Sequence, residues 1–472
     1  MTREEALAYR LTFRECLIGE RDFYFRVLMI VVPMVIQNTL SNIVGLLDNV
    51  MVGRLGTLPM SAVAIVNQLM FVFYLCIFGA LSGAGIFSTQ YFGKGDLEGV
   101  RHTIRFKLIV AGLICTGALL IFLFMGPQLI GSYIAADTAA ADAAETMALA
   151  RTYLAIMLVG LFPFGLTQVY AGAMRESGQT TLPMVASITA MIVNFIFNAL
   201  LIFGLLGFPR LGVAGAAIAT VLSRFVETGI VVIMGHRDQA KYGFFTGLYR
   251  NFRIPRAMIW PILSKSAPLF ANEFLWSMGQ ASLMQAYSVR GIEVIAALNI
   301  ANTISQIFNE IFFSIGVSSG IVTGQELGAN RLVSARRSAF RIAALSVATT
   351  FVMGTLLFIV APFVPHIYNT EPEIRLLASE MIRIIAITTP FMSVANVSYF
   401  ILRSGGKTLI TFLFDSCFMW VVSMPMAYVL TRYTGLDIRT IFFAICMNDA
   451  IKALLGFILI KRGAWVKNIV AD

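Results

Sequence analysis

Residues 33–56 read PMVIQNTLSNIVGLLDNVMVGRLG, and residues 268–291 read PLFANEFLWSMGQASLMQAYSVRG. These stretches open a repeat in which residues 33–95 reappear at 268–330 with a constant offset of 235 and no gap. The matched pairs are Pro33 with Pro268, Gly56 with Gly291, Asn67 with Asn302, Gly85 with Gly320, Gln90 with Gln325, Gly93 with Gly328 and, just beyond, Arg101 with Arg336. A second alignment, with an offset of 228, pairs Arg175, Gly178 and Thr180 with Arg403, Gly406 and Thr408. The chain therefore consists of two related halves.

The composition places both halves in a membrane. Apolar residues make up 58% of the chain and charged residues 13%, and the mean hydropathy is +0.81. A soluble globular protein is about half apolar and about a quarter charged. Apolar stretches of about 20 residues, long enough to cross the hydrocarbon core as helices, recur along the sequence. We predict an all-α integral membrane protein with twelve transmembrane helices, at about 27–53, 60–92, 104–127, 149–172, 181–206, 212–235, 259–288, 293–327, 338–366, 376–402, 409–431 and 439–460.

The net charge of +10 is a signal of membrane topology. Most Lys and Arg residues fall in the terminal tails and in the even-numbered connections. The odd-numbered connections hold only Arg54, Arg210, Arg290, Arg375, Arg432 and Arg439. Because positive residues are retained on the cytoplasmic side, we expect a multi-pass protein of the cell membrane with both termini in the cytoplasm. No nucleic acid partner is expected.

An even number of crossings in each half means that the two halves enter the membrane in the same sense, as parallel repeats. The predicted domains are a cytoplasmic or interfacial segment (1–26), an N-lobe (27–235), a basic cytoplasmic connector (236–258), a C-lobe (259–460) and a cytoplasmic tail (461–472). The connector mixes aromatic with basic residues, which fits either an interfacial segment or a simple tether. Repeated membrane halves are the usual architecture of secondary transporters, so this organisation indicates transport.

The N-lobe carries one set of polar residues inside its helices, where such residues are costly and mostly functional. Asp48 lies in the outer third of the first helix. Asn194 and Asn198 are four residues apart on the fifth helix, and Thr220 lies about one-third of the way into the sixth. Hard cations such as Na⁺ prefer oxygen ligands of this kind, and a lone carboxylate at this depth can instead bind a proton. A structural hydrogen-bond network between the helices is the alternative.

The C-lobe carries a different polar set. A stripe on the seventh helix consists of Glu273, Trp276 and Gln280, and Glu310 ends a polar stripe on the eighth. Both glutamates lie near mid-depth, where two carboxylates repel each other unless they share a proton or a cation. This suits a proton or organic-cation site; in the alternative, one of the two glutamates pairs with a polar group of a neighbouring helix. Asp415 and Asp449 lie nearer the cytoplasmic face and are expected to be structural.

Residues typical of an enzyme do not cluster in the sequence. Four of the five Cys fall inside predicted spans, and neither a disulfide framework nor a metal-binding spacing is visible. The three His are scattered. We therefore predict that the chain is not an enzyme and requires no cofactor apart from a coupling ion, Na⁺ or H⁺.

Four segments together resemble the multidrug and toxic compound extrusion (MATE) family in its bacterial type. They are residues 33–56, RESGQTTLP at 175–183, RSGGKT at 403–408 and VAGAAIAT at 213–220. The resemblance covers nearly the whole chain. It implies two six-helix lobes, arranged as a V around a central cleft, and export of lipophilic organic cations in exchange for Na⁺ or H⁺.

The same resemblance implies roles for individual residues. Asp48 matches the acidic position of the first helix, and Pro33 matches the proline at which that helix bends. The implied cation-site positions are Asn194, Asn198 and Thr220, although some family members carry an acid where this chain has Asn198. Glu273 resembles a seventh-helix glutamate of some members, and Glu310 is a candidate for the role of their tenth-helix acid, which is missing here. The candidates for substrate binding are Asn38, Asn42, Glu273, Trp276, Gln280 and Glu310.

Two functions fit these features. The leading hypothesis is a monomeric, ion-coupled multidrug antiporter that works by alternating access, with small organic cations and membrane lipid as its partners. The alternative is a lipid-linked oligosaccharide flippase of a related fold. A flippase needs a basic cavity for pyrophosphate, whereas the sequence indicates an Arg near the centre of the membrane only at Arg383.

Overall fold

The computed structural model shows a chain that is almost entirely helical. The structure describes Glu5 and residues 11–134, 139–368 and 370–471, and no strand occurs in that part of the chain. Residues 1–4 and 6–10 of the predicted N-terminal segment, and the last residue of the predicted tail, lie outside the described residues. The predicted all-α fold is confirmed.

Twelve long helices cover the twelve predicted spans. They are α1 (Arg21–Gly53), α2 (Thr57–Lys94), α3 (Leu97–Gly131), α4 (Ala140–Val159 and Leu161–Glu176), α5 (Thr181–Phe203), α6 (Val213–Arg237), α7 (Arg256–Ser288), α8 (Ile292–Gly328), α9 (Leu332–Val360), α10 (Pro372–Ser404), α11 (Thr408–Tyr433) and α12 (Ile438–Arg462). Helix α4 bends by 45° at its break. Helix α11 contains two π-helical stretches, Leu413–Cys417 and Met419–Ser423.

Most of these helices are long and apolar enough to cross a membrane. Within the described residues ten helices meet this condition, and the bent α4 raises the number to eleven. The exception is α7, which is 33 residues long but carries many Ser, Asn, Gln and charged side chains. The prediction of a multi-pass membrane protein is confirmed.

The internal repeat is visible in the backbone at two pairs of glycines. Gly56 and Gly291 directly precede α2 and α8, and both have a φ of +126°. Gly178 and Gly406 follow α4 and α10 with φ values of +87° and +73°. Residues with a Cβ rarely adopt this backbone geometry. Residues paired by the offsets of 235 and 228 therefore lie in turns that have the same backbone conformation in the two halves.

The described helices form two compact units. The first contains Met1–Val35, Thr89–Asp96 and Ile262–Asp472, and the second contains Ile36–Ser88 and Leu97–Pro261. Helix α1 passes from the first unit to the second without a break, two residues after Pro33. The domain boundaries expected from the sequence stay a prediction.

The first unit has an apolar core to which the start of α1 contributes. Val27, Ile30 and Met34 of α1 pack in one cluster with residues of α8, α9, α10 and α12. The tail after α12 belongs to the same cluster through Trp465, which is fully buried. Gln90 near the end of α2 joins this tail to α10, because its Nε2 donates to Ser404 O of α10 at 2.8 Å and its Oε1 accepts from the backbone of Ile469 in the tail at 2.8 Å.

The second unit includes the basic connector. Arg105 of α3 donates from Nε to Leu248 O at 3.0 Å and from Nη2 to Gly247 O at 3.2 Å. Phe244 and Phe245 of the connector are buried. The connector is therefore a folded part of this unit and not a simple tether.

Candidate functional site

The four N-lobe candidates meet where α1, α5 and α6 pack together in the second unit. Asn198 Nδ2 donates to Asp48 Oδ1 at 2.6 Å and to Asn194 Oδ1 at 3.1 Å. Asn194 Nδ2 lies 3.3 Å from Thr220 Oγ1. Asn194 and Asn198 are buried and share one face of α5, because residues four apart are neighbours on a helix surface.

The orientation of the Asn194 amide follows from its hydrogen-bond partners. With its nitrogen towards Asp48, it donates to both carboxylate oxygens, at 3.0 and 3.2 Å. In that orientation, hydrogen bonds from Asn194 and Asn198 both stabilise the Asp48 carboxylate.

The cluster offers further oxygen atoms to a cation. Asn198 Oδ1 is buried and has no hydrogen-bond partner in the described part of the chain. Thr220 Oγ1 donates to Ala216 O at 3.0 Å and lies 3.3 Å from Asn194 Nδ2, so one of its two lone pairs is left for a cation. A carboxylate, two amide oxygens and a hydroxyl are the hard ligands that Na⁺ requires. These residues fit Na⁺, and the carboxylate alone fits H⁺.

The remaining α1 candidates lie on the same helix as Asp48. Pro33 is buried within the continuous helix. Asn38 is half-buried and Asn42 is exposed. The hinge role of Pro33 and the substrate-binding roles of the two asparagines stay predictions.

Glu273 lies in the first unit beside a cationic group that the sequence did not connect with it. Arg403 and Tyr399 of α10 and Asp415 of α11 interact electrostatically with Glu273. Arg403 therefore supplies an opposite charge close to this carboxylate. Glu310 is half-buried on α8. The pairing of Glu273 with Glu310 stays a prediction.

The other two α7 candidates differ in their surroundings. Trp276 is half-buried and packs against the apolar core of the first unit. Gln280, one turn further along α7, is exposed. Trp276 thus keeps part of its ring available for contact with a ligand.

The sequence analysis missed two charged residues in the middle of α6. Arg224 donates to the Tyr74 hydroxyl and lies 5.3 Å from the ring centroids of both Tyr74 and Phe164. It is 11 residues into α6, or about 16 Å from the start of the helix at the usual rise. Glu227 is the second such residue. The expectation that Arg383 is the single Arg at this depth was therefore wrong. Arg224 was overlooked because its apolar neighbours dominate the average hydropathy of the span.

An all-helical membrane protein with an internal repeat and a carboxylate–amide cluster inside its helices has the features of a secondary transporter. The sequence model of the family described as MatE matches the chain twice, over residues 33–200 and 268–429. The two matches start 235 residues apart and together cover more than half of the chain. The chain therefore belongs to the MatE family. The predicted family is confirmed, and with it the prediction of a transporter and not an enzyme.

Curated relatives match over nearly the full length. The "Probable multidrug resistance protein NorM" of Thermotoga maritima is 24% identical over 456 residues, which are 93% of this chain and 92% of that protein. The "Probable multidrug resistance protein YoeA" of Bacillus subtilis is 24% identical over 439 residues, 90% of this chain and 91% of that protein.

Solved structures share the fold. One is described as "Outward-facing conformation of a multidrug resistance MATE family transporter of the MOP superfamily"; it has a TM-score of 0.84 and 19% identity over 96% of this chain and 98% of that one. A MOP superfamily transporter from Pyrococcus furiosus has a TM-score of 0.80 and 18% identity over the same shares of the two chains. At these identities the similarity shows the fold alone.

Proposed function

We propose that this chain is a secondary multidrug efflux antiporter that exports lipophilic organic cations in exchange for Na⁺ or H⁺ by alternating access. The family and the names of the curated relatives support drug efflux. The observation that carries the ion coupling is the cluster in which Asp48 accepts a hydrogen bond from Asn198 at 2.6 Å and faces the Asn194 amide.

The chemistry of the cluster explains how a bound ion changes the contacts of Asp48. A single carboxylate inside a membrane protein is costly when it is ionised and incompletely paired. Binding of Na⁺ or H⁺ to Asp48 removes this cost and weakens the hydrogen bonds that the carboxylate accepts from Asn194 and Asn198, because hydrogen bonds to a charged group are the stronger ones. Asp48 on α1 is thereby linked to α5, and through Thr220 to α6.

The substrate class follows from the candidates of the first unit. Trp276 supplies an aromatic face for a cation–π contact, and Glu273 supplies a carboxylate whose charge Arg403 partly balances and with which an organic cation can interact. Asn38, Asn42, Gln280 and Glu310 complete the proposed set of substrate-binding residues.

Topology and assembly complete the proposal. The positions of Lys and Arg support cytoplasmic termini, and the protein would act in the cell membrane as a monomer surrounded by lipid. A flippase function is not favoured, because the matched relatives are named for multidrug resistance. Arg224, the additional Arg at mid-depth, already donates to Tyr74.

The test is ethidium transport by purified protein in liposomes under separately imposed Na⁺ and proton gradients. The Asp48→Asn variant is nearly isosteric, so it should insert and fold normally and yet lose gradient-driven efflux under the gradient that drives the unsubstituted protein. Asp142→Asn is the matched control, because Asp142 is an exposed carboxylate of the same unit. Normal gradient-driven efflux by Asp48→Asn would show that this cluster does not couple transport to the ion.

A further inference from the structure

The first unit contains a second charged cluster, which the proposed function does not use. Lys452 Nζ of α12 lies 2.6 Å from Asp415 Oδ1 of α11, and the two side chains are only 16% and 19% exposed. Asn272 Nδ2 of α7 donates to Asp415 Oδ2 at 3.2 Å. Each carboxylate oxygen of Asp415 therefore has its own donor, and the ion pair ties three helices together.

Asp449 adds a second acid to this ion pair. It precedes Lys452 by three residues on α12, so the two side chains lie on the same face of the helix. Asp449 interacts electrostatically with both Lys452 and Asp415. Lys452 forms its ion pair with Asp415, and within the described residues no second base forms an ion pair with Asp449.

The charged residues around this cluster do not add the positive charge that would make it neutral. From α7 the cluster faces Glu273, and from α10 it faces Arg403 and the neutral Tyr399, whose hydroxyl lies 3.4 Å from Asn272 Nδ2. Glu273 and Arg403 carry opposite charges and cancel each other. The acid of Asp449 therefore leaves the whole cluster with one excess negative charge.

An excess charge of this kind is unusual for a structural network. An uncompensated charge costs several kcal/mol in a buried site, and helix packing alone gains nothing from it. A balanced Asp415–Lys452 pair would hold α11 to α12 equally well. Uptake of one positive charge by the cluster removes the cost, so the cluster is built to bind a proton or a cation.

The hydrogen bonds favour a proton over a metal ion. Both oxygens of Asp415 are occupied by donors, and Asn272 Oδ1 accepts from Ser416 Oγ at 2.8 Å. A metal cation needs several oxygen ligands at once, and these oxygens are already engaged. A proton needs only one carboxylate oxygen, which Asp449 provides.

The backbone at the cluster is also irregular. Asp415 lies in the first π-helical stretch of α11, and the second follows it directly after Phe418. Short π-helical segments inside α-helices occur frequently at functional sites. Trp420, in the second stretch, donates from Nε1 to Leu275 O at 2.9 Å and so joins this irregular segment to α7.

We propose that Asp449, beside the Asp415–Lys452 ion pair, is a second proton-binding group of this transporter, located in the first unit, whereas Asp48 lies in the second. When Asp449 is ionised, it also attracts the ammonium group that Asp415 binds. When Asp449 takes a proton from water, Lys452 interacts with Asp415 alone, and α11 is held more firmly to α12. This inference rests on the proposed function in one respect: the bound proton would serve as a coupling ion.

Infrared difference spectroscopy of the reconstituted protein tests the proton site without any substrate. Acidification should produce carbonyl stretching bands of protonated carboxyl groups in a dry environment, one from Asp449 and a second from Asp48 wherever Asp48 takes a proton. Asp449→Asn, a nearly isosteric change, should lose the Asp449 band and keep any band of Asp48. Asp437→Asn, which removes an exposed carboxylate just before α12, should keep the Asp449 band. An unchanged spectrum in Asp449→Asn would overturn the proposal.

A second variant tests the part played by the ammonium group. Lys452→Gln removes the positive charge that stabilises the ionised acids of the cluster. The Asp449 band should therefore appear at a higher pH than in the unsubstituted protein. A band at the same pH would show that Lys452 does not act on Asp449, and that result would also overturn the proposal.

Transport measurements then distinguish a failure of this inference from a failure of the proposed function. We expect proton-driven ethidium efflux by Asp449→Asn liposomes to be reduced about tenfold, with fewer protons exchanged per ethidium than in the unsubstituted protein; unchanged values would exclude a coupling role. If the unsubstituted protein moves neither ethidium nor tetraphenylphosphonium under any gradient, the proposed function fails. The infrared band would still decide whether Asp449 binds a proton.

Discussion

Replacing Gly93 or Gly328 by Ala should disrupt a very close contact between the backbones of two helices in the first unit. A Cβ on Gly93, in α2, would lie 1.8 Å from the carbonyl oxygen of Gln325, and a Cβ on Gly328, in α8, would lie 1.8 Å from that of Gln90. The four residues form two pairs of the internal repeat, Gly93 with Gly328 and Gln90 with Gln325. The two helices therefore cross at a point where each presents a glycine to the backbone of the other.

The geometry gives the size of the effect. Real Cβ atoms essentially never come within 3.0 Å of such an atom, so the two backbones must separate by at least about 1.2 Å, the difference between 3.0 and 1.8 Å. Overpacking of this kind costs about 1–3 kcal/mol. Because one displacement makes room for both methyl groups, the double variant should cost less than the sum of the single variants, by about 0.5–3 kcal/mol.

The assay is thermal unfolding of the purified protein in detergent, followed by tryptophan fluorescence. Gly117→Ala on α3 is the matched control, because nothing lies within 4 Å of a Cβ at that position. Replacing a helical glycine in open space should be neutral or stabilising, by about 0.5–1 kcal/mol. If Gly93→Ala or Gly328→Ala unfolds at the temperature of Gly117→Ala, the contact is not as close as described here. Additive effects in the double variant would refute the shared displacement.

Four further substitutions have defined outcomes. Lys107→Met removes one partner of a buried ion pair, since Lys107 Nζ lies 2.5 Å from Glu176 Oε2 and the Lys107 side chain is 2% exposed. We expect the free energy of unfolding to fall by about 3–5 kcal/mol, which a lower unfolding temperature would show. Neutralising Glu176 as well should recover most of this loss. Asn198→Asp adds a carboxylate to the N-lobe cluster and should tighten Na⁺ binding, measured by isothermal titration calorimetry; unchanged or weaker binding would argue against Na⁺ in this cluster. Glu273→Gln should weaken the binding of a lipophilic cation, and Glu310→Gln should shift the pH dependence of that binding. Tryptophan-quenching titrations between about pH 5 and pH 8 check both, and unchanged profiles in the two variants would remove these acids from the substrate site.

The candidate site could be predicted from the sequence only within single helices. Asn194 and Asn198 are four residues apart, so their shared face on α5 follows from the helical period alone. That Asn198 donates to Asp48 at 2.6 Å does not follow from that period, because a contact between helices depends on how each helix is rotated about its axis and shifted along it. The sequence therefore does not show which side chains contact Asp48.

Charged residues surrounded by apolar ones were the hardest to interpret from the sequence. Arg224 and Lys452 each lie in a stretch whose average hydropathy is that of a membrane span. Asp415 was expected to be a structural residue near one face of the membrane. The structure pairs it with Lys452 and joins both to α7 through Asn272. These partners lie 37 and 143 residues from Asp415 along the chain, and no local pattern links residues so far apart.

The sequence alone determined the class of the protein, the positions of the twelve long helices and the internal repeat. Hydropathy summed over about 20 residues decides whether a helix can lie in lipid, and paired residues such as Gly56 and Gly291 preserve the turns of both halves. Only the tertiary structure decided which polar side chains meet, such as Arg403 with Glu273. The physical reason is that lipid exposure acts on each helix separately, whereas a hydrogen bond or an ion pair requires two helices to pack in one particular orientation.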